Sequence, residues 1–133
     1  MGVGPNYGLG KGFLATGATA YAFGELVVPA AGEQSIVRAT AAGTFAFVCQ
    51  EDLDTTRLAT GKAFIGVQIA GIARVQAGAA VAKGSKLIND ATARAIVQVG
   101  VVGSGAPVIG IALSAAANAG DHIEVLLTPG ATA

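Results

Sequence analysis

Residues 107–127 read PVIGIALSAAANAGDHIEVLL, and the ways this stretch can fold constrain the whole chain. An apolar run passes through small residues to Ala119-Gly120-Asp121, and a strictly alternating segment follows. Side chains along a strand point to opposite faces in turn. Ile123, Val125 and Leu127 therefore belong to one face, and His122, Glu124 and Leu126 to the other. The competing reading is a short helix over 112–119 capped by Gly120, because alanine is the strongest helix former. That reading, with a second helical turn at 77–82, adds at most one or two short helical pieces.

Working outward, the same grammar repeats. Leu26-Val27-Val28 ends at Pro29, and a turn follows over 30–33. Residues 35–40 and 44–48 read as strands around an Ala41-Ala42-Gly43 turn. Residues 50–60 (QEDLDTTRLAT) hold four of the sixteen charges and read as an exposed loop. Strands resume with Phe64-Ile65-Gly66-Val67 and residues 69–75, where Gly71 marks a bulge or kink. Lys86-Leu87-Ile88 and residues 94–99 follow, parted by a turn at Asn89-Asp90 and Thr92. Short strands broken every 8–12 residues by glycine-containing turns predict an all-β small barrel or sandwich.

The chain also echoes itself. Phe64-Ile65-Gly66-Val67 recurs as Val108-Ile109-Gly110-Ile111. Lys83-Gly84-Ser85-Lys86-Leu87 resembles Ala119-Gly120-Asp121-His122-Ile123, and Ala42-Gly43-Thr44-Phe45 is a third version of that turn. The spacing between the elements differs, so this is no solenoid repeat. One turn geometry reused at several corners and convergent turn chemistry explain it equally well.

Composition bounds the surface. The 133 residues suffice for one core without disulfides or metals. Only 12% are charged, against about 25% in an ordinary soluble domain. A monomer of this size exposes on the order of 6,300 Å², so charges are sparse and sizeable apolar patches are unavoidable. Such a surface predicts association with a partner or with copies of itself. Zero net charge, no Trp and no basic run disfavour nucleic acid. No charge lies between Arg94 and Asp121, long enough for a membrane span. However, the turn cluster at 103–107 inside it favours two strands and no membrane. The N-terminus lacks the basic region of a secretory signal.

Residues 1–24 are rich in glycine and carry Pro5, Tyr7, Phe13, Tyr21 and Phe23. They are too glycine-rich for a helix and too apolar for a solvated tail. An extended arm ordered by lying on another surface fits, with residues 13–23 partly strand, ahead of a domain over 25–133. The alternative is that these residues are the first one or two strands of that domain.

No catalytic, cofactor or metal site emerges. The single Cys49 reads as a small buried residue, since no base or cation adjoins it to make a reactive thiolate. The single His122 rules out a multi-histidine metal site and reads as a surface or interface residue. Glu51, Asp52 and Asp54 read as a solvated acidic loop rather than a cation site. Gly103-Ser104-Gly105 is not a nucleophile elbow, and neither Gly8-Leu9-Gly10-Lys11-Gly12 nor Thr60-Gly61-Lys62-Ala63 has the spacing of a phosphate loop.

Taken in order, Phe64-Ile65-Gly66-Val67, residues 71–77, residues 82–90, Val108-Ile109-Gly110-Ile111-Ala112-Leu113 and residues 115–127 resemble the capsid cement proteins that decorate tailed-bacteriophage heads. The order of these motifs, made of common small residues, carries the resemblance over about 25–128. It implies a compact β-rich virion protein on the outer surface of the capsid. Its partners would be the major capsid protein and copies of itself, a trimer if it sits at threefold sites. The role implied is reinforcement of the shell, without catalysis or cofactor. The arm around Tyr7, Phe13, Tyr21 and Phe23 is then the expected shell contact. An adhesin-like or tail-associated self-associating module would carry the same barrel and surface. A small hydrolase using His122 with Ser104 or Ser114 is a more distant alternative.

Overall fold

Apolar residues at alternate positions build ten short strands in the computed structural model, which describes residues 9–40, 46–98 and 107–128. The first five are β1 (Gly10–Ala15), β2 (Leu26–Pro29), β3 (Ser35–Arg38), β4 (Phe47–Cys49) and β5 (Phe64–Gln68). They close a barrel in the order β1-β3-β2-β4-β5, antiparallel except for β1 beside β3. The second five are β6 (Gly71–Gln76), β7 (Lys86–Asn89), β8 (Ala95–Val97), β9 (Gly110–Ala112) and β10 (His122–Leu127). They form an antiparallel sheet ordered β6-β10-β9-β7-β8. Gly71, expected to mark a bend, begins β6 where the first sheet gives way to the second. The all-β fold read from the sequence is the fold observed.

Alternation in the last strand holds. Ile123, Val125 and Leu127 are buried, while His122 and Leu126 are exposed. The short helix falls elsewhere than at 112–119. A single turn, α1 (Thr55–Leu58), stands in the 50–60 loop, with the Asp54 carboxylate accepting from Arg57 N–H. Residues 112–119 instead reach across the sheet: Ala116 and Val81 exchange both backbone hydrogen bonds at 2.9 Å. That pairing overrides the helix propensity of alanine.

The two sheets are one motif used twice, strand for strand. A turn with glycine at its third position and φ near +90° precedes both β2 and β7. Glu25 N–H donates to Ala22 O and Ser85 N–H to Ala82 O, with Gly24 at φ 85° and Gly84 at φ 88°. Gly24 N–H then donates to Cys49 O, and Gly84 N–H to Ala112 O. The Tyr21–Leu53 bridge matches Val81–Ala116, and Ala15–Ile36 matches Ala77–Ala95. The turn recurs at Asn118-Ala119-Gly120-Asp121 before β10, as expected. The proposed copy at 42–45 lies outside the described residues, as do 99–106. The echo between Phe64-Ile65-Gly66-Val67 and Val108-Ile109-Gly110-Ile111 links strands that do not correspond: β5 matches β10, and β9 matches β4.

The halves differ at one seam. In the first, β1 meets β3 directly, with Leu14 N–H donating to Gln34 O at 2.7 Å. The corresponding residues of the second are Gln76 and Ala93. There the seam is parted by a piece of the first half: Gln76 N–H donates to Gly24 O at 2.9 Å and Leu26 N–H to Ala93 O at 2.7 Å. Leu26 and Val48, fully buried, consequently join the core of the second half with Val75, Leu87 and Ile123. A separate core fills the first barrel around Tyr21, Val27, Ile36, Leu53 and Ile65. Each large aliphatic side chain so buried contributes about 1.5–3 kcal/mol, so the shared core binds the halves into one body.

Candidate contact surface

The residues nominated from sequence are dispersed. Phe13 lies half-buried in β1 against the first core, with Lys11 Nζ 5.6 Å from its ring centroid. Tyr21 is 3% exposed and its hydroxyl donates to Thr16 O at 2.6 Å, so it holds the first core together. Phe23 sits in the turn that parts the seam. The Arg74 guanidinium lies 5.5 Å and the His122 ring 5.9 Å from its ring centroid, and its carbonyl accepts from Gln76 Nε2 at 3.2 Å. It is a joint between the halves. Phe13 and Tyr21 share a core; Tyr7 lies outside the described residues. Residues 9–24 carry β1 and the Tyr21 bridge.

Among the described residues, the large apolar side chains left at the surface are Leu9, 61% exposed, Phe64, 55%, and Leu126, 40%. None was singled out in the sequence, although alternation places Leu126 on the polar face of β10. Leu126 stands directly opposite Ile72 on one side and Ile111 on the other, giving an apolar row across three strands. Leu9 lies at the corner of the two sheets, its N–H donating to Ala70 O.

The acidic loop is structural. Glu51 accepts from Gly66 N–H, Asp52 from Phe23 N–H at 2.8 Å, and Asp54 from Arg57 N–H at 2.8 Å. Among the described residues no three His, Cys, Asp or Glu side chains are grouped to hold a metal ion. No helix among them is long and apolar enough to cross a membrane. A cleft of about 210 Å³ lies beside Thr16, Val37 and Arg38, smaller than the roughly 300 Å³ at which ligand pockets begin. Its one charge, Arg38, is held by Glu25.

Burial pushes the Cys49 thiol up to about 11 from 9.0, and the carboxylates of Glu25, Glu51 and Asp52 add to the shift. At pH 8 roughly one thiol in a thousand is then ionised, too few for a reactive cysteine. Burial also raises the Tyr21 phenol above 10.0. Between pH 9 and 11 the unfolded chain releases these protons while the folded chain retains them, so stability falls as pH rises. The urea midpoint should be flat up to pH 8 and lower at pH 10.5, and Cys49→Ala should reduce the decline. A midpoint constant to pH 11 would contradict this account.

Comparison with known proteins follows the same lines. A family profile described as phage cement protein matches residues 55–127. The crystal structure of the head fiber gp8.5 N base in bacteriophage phi29 superposes with a TM-score of 0.66 at 17% identity, covering 94% of this chain and 97% of that one. At that identity the likeness shows a shared fold. No curated protein matches the chain. Phage cement proteins are structural proteins of the virion, and the profile match makes this chain a capsid-associated virion protein. Since the profile spans more than half of its length, the chain belongs to the phage cement protein family.

Proposed function

We propose that this protein binds the outer surface of the assembled phage head and reinforces it through contacts with the major capsid protein and with neighbouring copies, without catalysis. Family membership carries the reading, and the exposed Leu9, Phe64 and Leu126 on a charge-poor surface support it. A subunit that binds the lattice but not loose capsid protein stabilises the lattice by mass action. Contacts between neighbours multiply weak individual affinities.

The shell contact in this proposal is the start of β1 together with the segment before it, including Tyr7, Leu9, Lys11 and Phe13. Residues 10–13 pair with β5 on one side, whereas pairing with β3 begins only at Leu14. Among the described residues the other edge carries no strand, and such an edge can accept one from a partner. Tyr21 and Phe23 drop out of the contact, because one holds a core and the other the joint. A deletion that tests the idea must stop at residue 8, since removing 1–12 would take half of β1. Purified protein should co-sediment with expanded heads and raise their melting temperature. The chain lacking residues 1–8 should keep its own melting temperature within a few degrees and bind heads at least tenfold more weakly, about 1.4 kcal/mol or more. Full binding by the truncated chain would remove the N-terminal segment from the contact, and no co-sedimentation by the intact chain would overturn the function.

A further inference from the structure

The matching halves have unequal surroundings, and we propose that the difference marks a head-to-tail contact between copies of this chain. The inference rests on the reading that copies touch one another. On the first half, the outward row Leu26, Val48 and Gln68 is buried, with Leu26 and Val48 in the core of the second half. The strand-for-strand match places Lys86, Ile111 and Leu126 at the same three positions of the second half. There Lys86 and Leu126 are exposed and Ile111 is half-buried. The face by which one half packs on its neighbour is therefore repeated on the other half, still apolar at two of three positions, and left open.

The receiving side is repeated as well. In the second half, Arg74, Gln76 and His122 surround the Phe23-Gly24 turn: a Cβ on Gly24 would meet His122 Cδ2 at 3.1 Å, Gln76 N at 3.2 Å and Arg74 O at 3.3 Å. The corresponding residues of the first half are Gly12, Leu14 and Phe64. Phe64 is 55% exposed and stands opposite Leu14. A Cβ on Gly12 would find nothing within 4 Å, so the backbone there is bare to close approach.

One molecule thus presents an unused docking face on its second half and an unused receiving face on its first. The occupant that fits both is a second copy. Its Lys83-Gly84 turn would approach the first half from the side on which Phe23-Gly24 meets the second half within the chain. The Lys83 ammonium would lie over the Phe64 ring, an attraction that strengthens as water is excluded. Lys86 would face Glu33, exposed beside Gln34, giving opposite charges across the contact. Because Leu14 and Gln34 already close the first seam, the neighbour's turn lies over that seam rather than within it. A contact between two different patches leaves one of each free at the ends of a pair, so it closes into a ring or extends as a chain.

The test uses the full chain in solution, by sedimentation velocity from micromolar to millimolar concentration. Wild type should self-associate, while Leu126→Asp and Phe64→Asp, both at exposed positions, should each associate at least tenfold more weakly. Lys83→Glu, outside either core, should repeat that loss if either aspartate variant unfolds. An equimolar mixture of Leu126→Asp and Phe64→Asp should form a dimer that grows no further, because each supplies the face the other lacks. A wild type monomeric at millimolar concentration, a variant that associates normally, or a mixture that stays monomeric would overturn the proposal. Heads added to the same samples separate the two readings. Variants that still co-sediment leave the cement function standing whatever their self-association, and a self-associating wild type that ignores heads sinks the cement function alone.

Discussion

Gly110→Ala should lower the melting temperature by 10 °C or more, the largest stability loss expected from adding a single methyl group to this chain. Gly110 lies in β9 between Leu87 of β7 and Leu127 of β10. A Cβ there would sit 2.3 Å from Leu126 O and 2.7 Å from Val125 Cγ1. The first of these is backbone and cannot rotate away. β10 cannot retreat either, since six consecutive residues of it are held in register by β6 on its far side. Overpacking a core typically costs about 1–3 kcal/mol. With backbone as the obstacle, at least about 3 kcal/mol is expected, which is a large share of the 5–15 kcal/mol that holds a domain together. Gly12→Ala is the control, because a Cβ there meets nothing within 4 Å. Calorimetry on the two variants decides the matter: a Gly110→Ala melting point within 3 °C of wild type would mean that β9 and β10 are not in this register.

Arg38→Ala should cost about 3 kcal/mol, with most of the loss recovered by also changing Glu25 to Gln. The Glu25 carboxylate is nearly buried. It accepts from Arg38 Nε at 3.1 Å, from a second Arg38 nitrogen, and from Ala22 N–H at 2.7 Å. The hydrogen bond to Glu25 is also the main reason the Arg38 guanidinium holds its proton more tightly than usual. Truncating one partner of a buried pair costs about 3–5 kcal/mol because the other charge is left uncompensated. The side chains here are 20% and 9% exposed, which places the loss at the lower end. Glutamine keeps the acceptor for Ala22 without the stranded charge, so the double variant separates burial of an unpaired carboxylate from loss of packing. Equal losses in the single and double variants would assign the effect to packing alone. The pair also tightens the turn that parts the seam, and Arg38 reaches Thr92 O in the second half at 3.4 Å.

The strands were legible because alternation is a local property. Val27 and Val28 before Pro29, or Ile123, Val125 and Leu127 after Gly120, announce their faces without reference to the rest of the chain. The duplication was not legible, because matched positions face different surroundings and have diverged with them. Tyr21-Ala22-Phe23-Gly24-Glu25-Leu26 corresponds to Val81-Ala82-Lys83-Gly84-Ser85-Lys86 and shares only the alanine and the glycine of the turn. Leu26 is buried where Lys86 is solvated, so one position of a single motif carries opposite chemistry. The aromatic residues of the first 24 do not reveal from sequence which of them pack inward, for a related reason. An aromatic beside glycines is equally apt for packing against its own chain, and Tyr21 and Phe23 do that.

The parted seam also sets an order of events during synthesis. A ribosome adds about 5–20 residues per second, so residues 24–26 emerge several seconds before the strands they separate. The early half closes its own seam, whereas the late half needs a wedge it does not encode. Translation from the amino end therefore delivers the wedge before its slot, and a chain with the halves exchanged would deliver the slot empty.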